Sequence, residues 1–416
     1  MSRDSPYLDD LETRPPEARE GALMARLPGL VAHAIGQAPG WARQLQGVDP
    51  AAISSRKALA ALPVLRKRQL KDLQQADPPF GGFTTVPAGR LGRIYLSPGP
   101  IFDPEGTEPD PWRVARALWA AGVRPGHLLQ NCFGYHLTPG AWMVDQGARR
   151  LDCAVIPAGT GQTEQQIEII RRLKPDAYVG TPSFLRIIVE RAAEAGLALT
   201  SLKRALLAAE ALPASLRSWF HAQGVTTVLQ WYGTADLGCV AYESEAMDGM
   251  ILEEDVLLEI VRPGTGDPVP DGEIGEIVVT SFNRTYPMIR FATGDLSAVL
   301  AGSSPCGRTN VRIRGWLGRA DQTTKVRGLF VHPEQIAEVI ARHPEIRRAR
   351  LVVSGEMADD RMTLRCAVHG PAARALAGRI ADTVRELTSL RADVELLADD
   401  GLPNDGLVIE DTRKLD

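Results

Sequence analysis

The chain has 416 residues, more than the roughly 100–200 of a typical domain, so we expect two or more structural units. Its formal net charge of −4 comes without a basic block, which argues against nucleic acid or an anionic membrane as a partner. The five cysteines show neither zinc-ligand nor disulfide spacing, and the sequence has no signal peptide and no apolar run of about 18 residues, so we expect a cytoplasmic protein with no membrane partner.

The predicted elements begin with helices near the N-terminus and continue as an alternation of strands and helices. Apolar residues recur at helical spacing over residues 16–47, and residues 57–77 suggest another helical stretch. Over residues 151–233, short apolar runs alternate with helices that prolines open and glycines close. This alternation predicts a largely parallel sheet covered by helices on both faces, and therefore an α/β fold.

Four loops at the carboxyl ends of these predicted strands are expected to line one cleft, because ligands of parallel sheets bind there. The loops are residues 157–159, 180–183, 208–211 and 231–236.

The pattern changes after about Glu253, where short alternating runs and turn residues are typical of antiparallel hairpins and indicate a separate β layer. From Gly318 onward, strands and helices predict a small α+β domain of about 100 residues. We therefore expect a large domain over residues 1–317 and a small one over residues 318–416.

Three stretches share the order and spacing of motifs in a known superfamily. They are QWYGTADLGCV from Gln230, RTYPMIRFATGDLSAV from Arg284, and RIRGWLGRADQTTKVRGLFVHPEQI from Arg312. The chain thereby resembles the adenylate-forming superfamily of acyl-CoA ligases, and more narrowly its phenylacetate–CoA ligase branch. Residues 132–167 and the VHPEQI stretch also resemble that branch. The resemblance implies an N-terminal AMP-binding domain and a C-terminal domain that rotates about a hinge at Asp321.

The resemblance implies a site for ATP and AMP. Asp295 would accept charge-assisted hydrogen bonds from the two ribose hydroxyls, and Tyr232 would border the adenine with its flat ring. Gly233 and Thr234 belong to the same motif, and the backbone at Glu210 would run beneath the adenine. The alternatives are a turn-capping role for Asp295 and a core role for Tyr232.

The implied catalytic residues are Asp236, Arg290 and Arg319. Asp236 stands where the family has a glutamate that holds Mg²⁺ beside ATP, and its carboxylate offers the hard oxygen that Mg²⁺ prefers. A structural salt bridge is the alternative for Asp236. Arg290 would lie near the acyl phosphate or the cleft wall, with a solvated surface position as its alternative. Arg319 would reach the ribose or the phosphate.

The implied substrate pocket combines aromatic residues and glycine, which suits a flat apolar acid with a few polar anchors. Its residues are Tyr135, His136, Pro139 and Trp231, and a buried helix start is the alternative explanation of that segment. Coenzyme A would enter a tunnel faced by Lys325 and Gly328. The branch resemblance also makes a homodimer plausible.

Two stretches depart from the branch. Residues 97–104 stand in place of a Ser/Thr/Gly-rich phosphate loop, and their three prolines have no N–H to offer a phosphate. Asp103 and Glu105 would repel a phosphate there. Leu407 occupies the position of a lysine that contacts the carboxylate and the α-phosphate, a contact comparable to an oxyanion donor.

The function that the resemblance implies is ATP-dependent activation of an aromatic, phenylacetate-like acid through an acyl-adenylate to its CoA thioester. Positioning and charge stabilisation would carry this chemistry, without a covalent nucleophile. The two departures leave two alternatives open. One is a non-catalytic pseudoenzyme that binds a nucleotide or acyl-adenylate. The other is an enzyme that uses only the acyl-AMP half-reaction or an acceptor other than CoA.

Overall fold

The computed structural model describes residues 5–97, 99–320, 322, 324–356, 359–368, 374–398, 401–402 and 408–413. The chain divides into two compact units. Unit 1 comprises Met1–Ala209 with Phe220–Leu317, and unit 2 comprises Glu210–Trp219 with Gly318–Asp416. The sequence-based division places residues 210–219 in the first domain instead. The predicted hinge residue, Asp321, lies outside the described residues.

The helices begin where the sequence offers helix-starting residues, and prolines occupy the first turn of several of them, where no backbone donor is lost. In chain order they are α1 (Pro16–Gln37), α2 (Pro39–Gln44), α3 (Arg56–Ala60), α4 (Lys67–Ala76), α5 (Val114–Ala120), α6 (Gly140–Arg150), α7 (Thr163–Leu173), α8 (Pro182–Glu194), α9 (Ala214–Ala222), α10 (Pro333–Arg342) and α11 (Arg374–Thr388).

The strands belong to three larger sheets and two hairpins. In chain order they are β1 (Leu65–Arg66), β2 (Arg93–Ser97), β3 (Ile101–Glu105), β4 (Leu128–Asn131), β5 (Ala154–Pro157), β6 (Ala177–Gly180), β7 (Arg204–Leu207), β8 (Thr227–Thr234), β9 (Gly238–Glu243), β10 (Met250–Leu252), β11 (Val256–Val261), β12 (Gly275–Ser281), β13 (Phe291–Ser297), β14 (Val299–Leu300), β15 (Arg312–Ile313), β16 (Thr324–Val326), β17 (Leu329–Val331), β18 (Ile346–Ser354), β19 (Arg361–Val368), β20 (Asp393–Leu397) and β21 (Ile409–Asp411).

A nine-stranded sheet forms the centre of unit 1, in the order β14-β15-β10-β9-β8-β7-β6-β4-β5. The strands from β5 to β8 pair in parallel, as the alternation of strands and helices predicts. From β8 onward the pairing becomes antiparallel, starting where Trp231 meets Tyr242. The predicted α/β fold is confirmed, and β8 is the strand at which the two pairing modes meet.

The predicted β layer is a second sheet of unit 1, in the order β1-β13-β12-β11. Strands β11, β12 and β13 pair antiparallel, while β1 pairs in parallel with β13 through Leu65 and Phe291. Strand β1 leads directly into α4, so the start of α4 is fixed to this sheet. This connection matters for the site described below.

Large apolar side chains fill the core of unit 1 because burial of aromatic and aliphatic surface is the main favourable term in folding. Trp41, Trp112 and Trp119 are each at most 1% exposed. In unit 2, one face of the sheet β20-β19-β18-β21 packs with α10 and α11 around residues such as Leu351 and Ile380. Within the described part of the chain, none of the helices combines the length and the apolar character that crossing a membrane requires.

Candidate active site

Tyr232 and Asp295 are hydrogen-bonded, although 63 residues separate them in the chain. Tyr232 lies near the carboxyl end of β8, and Asp295 lies on β13 of the second sheet. The Tyr232 hydroxyl donates to Asp295 Oδ2 at 2.8 Å and lies 3.2 Å from Thr293 Oγ1. The two sheets of unit 1 therefore meet at the pair of residues that the sequence assigns to adenine and ribose.

The Asp295 carboxylate is held by donors on both of its oxygens. Trp316 Nε1 donates to Oδ1 at 3.0 Å, and the Asp295 amide donates to Thr293 Oγ1 at 3.1 Å. Two aromatic side chains therefore fix the orientation of the Asp295 carboxylate, and the residue is 8% exposed.

The segment around Tyr232 is shaped by close backbone approach. A Cβ at Gly233 would collide with the carbonyl oxygen of Gly238, so the turn between β8 and β9 requires glycine there. Thr234 caps this turn, because its hydroxyl accepts from the Leu237 amide at 3.2 Å. At the end of β7, Ala209 has a φ of 72°, an uncommon conformation for a residue with a side chain. Unusual backbone thus flanks the predicted nucleotide position on two strands.

An aromatic cluster lies at the start of α6, where the sequence predicts the acid pocket. Tyr135 and Trp142 meet edge to face at 5.1 Å, and the Tyr135 hydroxyl accepts from Asn131 Nδ2 at 2.9 Å. Pro139 is buried next to the helix start and His136 is exposed. Trp231 belongs to the same core cluster and is 7% exposed, and its indole Nε1 has no hydrogen-bond partner among the described residues. The segment packs as the start of a helix, and its role as the acid pocket stays a prediction.

The stretch that replaces the family's phosphate loop belongs to a hairpin of β2 and β3, in which Ser97 pairs with Ile101. Pro98 lies outside the described residues. Glu105 faces inward: it accepts from Arg93 at 2.6 Å, from Trp112 Nε1 at 3.0 Å and from the Tyr95 hydroxyl. Its charge is therefore paired inside the fold. This corrects the expectation that Glu105 would repel a phosphate.

Asp236 forms a buried ion pair with Lys67, the first residue of α4. Lys67 Nζ lies 2.5 Å from Asp236 Oδ2, and the exposed fractions of the two side chains are 22% and 0%. Asp103, on the inward face of β3, lies within electrostatic reach of this pair and is 0% exposed. Burial, and then the charge of Asp236, raise the pKa of Asp103 to about 8. Neither oxygen of Asp103 has a hydrogen-bond partner among the described residues.

The predicted residues of unit 2 lie on or near the hairpin of β16 and β17. Arg327 and Gly328 form its two-residue turn with φ values of 48° and 83°, which only glycine adopts freely. Lys325 Nζ lies 5.0 Å from the ring centre of Phe330, and the guanidinium of Arg319 lies 5.7 Å from it. Glu210 belongs to the same unit, with its Oε1 4.0 Å from the position of a Cβ at Gly328.

The sequence pattern of the AMP-binding enzyme family matches residues 149–284. A phenylacetate-coenzyme A ligase from Thermus thermophilus is 32% identical over 382 residues, which cover 88% of this chain and 85% of that protein. The phenylacetate-coenzyme A ligase of Escherichia coli K12 is also 32% identical, over 80% of this chain and 79% of that protein. The chain belongs to the phenylacetate–CoA ligase family. The family resemblance of the sequence motifs is thereby confirmed.

A solved structure agrees with this assignment over the whole fold. The crystal structure of 2-hydroxyisobutyryl-CoA ligase, in complex with 2-HIB-AMP and CoA in the thioesterification state, has a TM-score of 0.87 to this chain. It is 26% identical and covers 100% of this chain and 94% of its own. The fold of this chain is therefore one that, in that ligase, holds an acyl-adenylate and CoA.

Magnesium at Asp236, which the family position implies, does not fit the residues present. Lys67 already holds one oxygen of Asp236 at 2.5 Å, and its ammonium charge opposes a divalent cation on the same buried carboxylate. In the part of the chain that the structure describes, no three His, Cys, Asp or Glu side chains form a metal-binding group. The salt-bridge alternative therefore describes Asp236 in this phenylacetate–CoA ligase family member.

Arg290 has a structural position, which corrects its assignment to the acyl phosphate. It is 2% exposed, and its Nε and Nη2 both lie 3.0 Å from the carboxylate oxygens of Glu259. Its remaining donors bind the carbonyl oxygens of Ala60, Leu62 and Gly266 at 2.5–2.7 Å. With its donors bound within the fold, Arg290 ties the N-terminal helices to the second sheet.

Two residues of the site escaped the sequence analysis: Trp316 fixes Asp295, and Lys67 pairs with Asp236. Asp103, which the sequence analysis expected to repel a phosphate, is instead buried beside that pair. A signal for Asp103 was present, because Ile101, Asp103 and Glu105 alternate along a short strand and so share one face. The positions of Leu407 and Lys414 lie outside the described residues.

Proposed function

We propose that this protein activates an aromatic carboxylic acid with ATP, through an acyl-adenylate, and transfers the acyl group to coenzyme A. The observation that supports this proposal most is the hydrogen bonding of Asp295 to Tyr232 and Trp316, where the two sheets of unit 1 meet. The named activity of the family relatives, phenylacetate-coenzyme A ligase, supports the acid class and the thiol acceptor.

The residues of unit 1 bind and orient the nucleotide in this proposal. Asp295 accepts from the ribose hydroxyls, while Tyr232 and Trp316 hold its carboxylate so that little reorganisation accompanies binding. The backbone at Ala209 lies beneath the adenine, and the aromatic cluster of Tyr135 borders the acid. The chain supplies position and charge stabilisation, and the carboxylate of the acid is the nucleophile toward the α-phosphate.

Unit 2 contributes the thioester step in this proposal. Lys325, Gly328 and Arg319 contribute to binding of CoA and the adenylate, the backbone at Glu210 contributes to the adenine site, and Asp321 serves as the hinge. Mg²⁺ enters as the counter-ion of the ATP phosphates and is part of the substrate. We further propose a cytoplasmic homodimer, and the five free cysteines support a reducing compartment.

The experiment is a search for acyl-CoA by mass spectrometry after incubation with Mg·ATP, CoA and a panel of aromatic and short aliphatic acids. We expect an aryl-CoA product, and Asp295→Asn should reduce its yield. Product from none of the acids, with protein that binds AMP, would refute the proposal for that panel. That outcome would favour a nucleotide-binding pseudoenzyme, for which the similarity to curated ligases gives no support.

A further inference from the structure

The ammonium group of Lys67 lies next to the carboxylate of Asp236. Lys67 Nζ lies 2.5 Å from Asp236 Oδ2, and Lys67 follows directly on β1, which pairs with β13 at Phe291 and Ala292. The neighbouring Arg66 is anchored to Glu276 at 2.6 Å. Lys67 therefore begins α4 directly after a strand that is held in the second sheet.

The surroundings of the pair contain a second, buried carboxyl group. Asp103 is 0% exposed, and neither its oxygens nor Asp236 Oδ1 has a hydrogen-bond partner in the described ranges. The Tyr286 hydroxyl is likewise buried without one, and both Asp103 and Asp236 act on it electrostatically. Two carboxyl groups and one ammonium thus occupy one buried polar pocket.

These charges oppose a second cation. A Mg²⁺ ion on Asp236 Oδ1, at the usual bond length of about 2.0–2.1 Å, would lie within a few ångströms of the Lys67 ammonium and repel it in a buried setting. The Asp236 carboxylate is already neutralised by Lys67, so it offers a divalent ion little compensation for the hydration that the ion would lose.

We propose that Lys67 takes the place of a metal ion at Asp236, so that the divalent cation of the reaction stays on the nucleotide phosphates and does not bind this carboxylate. This inference rests on the proposed use of Mg·ATP and deepens it. It makes Lys67 a positioning residue: the lysine holds Asp236 and the start of α4 in place without a metal.

The test is Mn²⁺ binding without nucleotide, measured by electron paramagnetic resonance. We expect no binding at Asp236 in the unmodified protein. Lys67→Met should create a site at least about tenfold tighter than any in the unmodified protein, because it leaves the Asp236 carboxylate without its ammonium partner. The double variant Lys67→Met/Asp236→Asn should lose that site. Lys71→Met, an exposed lysine on the same helix, should resemble the unmodified protein.

Mn²⁺ binding to the unmodified protein that Asp236→Asn abolishes would overturn the inference, and so would a Lys67→Met variant that gains no site. If Lys67→Met does not fold, Mn²⁺ affinity is compared with a non-hydrolysable ATP analogue bound. Asp236→Asn should then leave that affinity within about threefold, and a loss of about tenfold or more would overturn the inference. The Mn²⁺ experiment does not depend on turnover. A protein without ligase activity could still show the expected Mn²⁺ binding, and an active ligase could still fail to show it.

Discussion

Replacing Asp103 with asparagine should stabilise the protein at neutral and alkaline pH. The side chain is fully buried on β3, and its oxygens have no hydrogen-bond partner in the described part of the chain. Burial, and then the charge of Asp236, raise the pKa of Asp103 from 3.8 to about 8. The folded protein therefore keeps a proton on Asp103 at pH 7, whereas the unfolded chain loses it.

The pKa in the folded state lies above that in the unfolded state, so this group's contribution to stability is complete below pH 3.8 and declines as the pH rises toward 8. Each pH unit in that window costs on the order of 1 kcal/mol, so the effect at pH 7 is a few kcal/mol. Asparagine has the same shape and does not ionise. Asp103→Asn should therefore recover about 2–4 kcal/mol at pH 7 and little at pH 4.

The assay is urea unfolding at a series of pH values from 4 to 9, with the free energy of unfolding extrapolated to water. The unmodified protein should lose stability across this range relative to Asp103→Asn. Asp72→Asn, an exposed change on α4, is the control and should alter stability by less than about 0.5 kcal/mol. If the free energy of unfolding of Asp103→Asn equals that of the unmodified protein both at pH 4 and at pH 8, the reasoning is refuted.

The remaining predictions concern the nucleotide site and Arg290. Arg290→Met should cost about 3–5 kcal/mol of stability because it leaves Glu259 buried and unpaired, while AMP affinity of the folded protein, measured by calorimetry, stays unchanged. Tyr232→Phe should weaken AMP binding about tenfold, since the hydroxyl that holds Asp295 is lost. The unmodified protein should prefer AMP to 2′-deoxy-AMP, and Asp295→Asn should weaken AMP binding about tenfold and reduce that preference.

Each of these predictions has a contrary result. An Arg290→Met variant of normal stability with impaired AMP binding would return Arg290 to the nucleotide site. AMP affinity unchanged in Tyr232→Phe would separate the tyrosine hydroxyl from ribose recognition. Equal discrimination against 2′-deoxy-AMP in Asp295→Asn and the unmodified protein would place the ribose elsewhere.

The parallel sheet was predictable because its signals are local. Pro182 opens α8 in the structure, and the apolar runs at Ala177–Gly180 and Arg204–Leu207 are short and bounded by turn residues. Such patterns depend on neighbours within a few residues. The motif around Asp295 was recognisable for a different reason, because its order and spacing resemble those of a known family.

The ion pairs of the site were not predictable from local pattern. Lys67 and Asp236 lie 169 residues apart, and Arg290 meets carbonyl groups more than 200 residues earlier in the chain. A charged residue has the same local sequence whether it ends in solvent or in a buried pair, so only the tertiary fold decides. This is why Arg290 and Asp236 were assigned to substrate and metal, while the structure pairs them within the protein.

The measurement that tests the ligase proposal most directly is acid-dependent release of pyrophosphate from Mg·ATP, with and without CoA. The proposal predicts release that requires an aromatic acid, with CoA converting the bound acyl-adenylate to a thioester and AMP. Release that ends at acyl-AMP would contradict the CoA acceptor and favour transfer to another acceptor. No release with any acid, from folded protein that binds AMP, would contradict the ligase function itself.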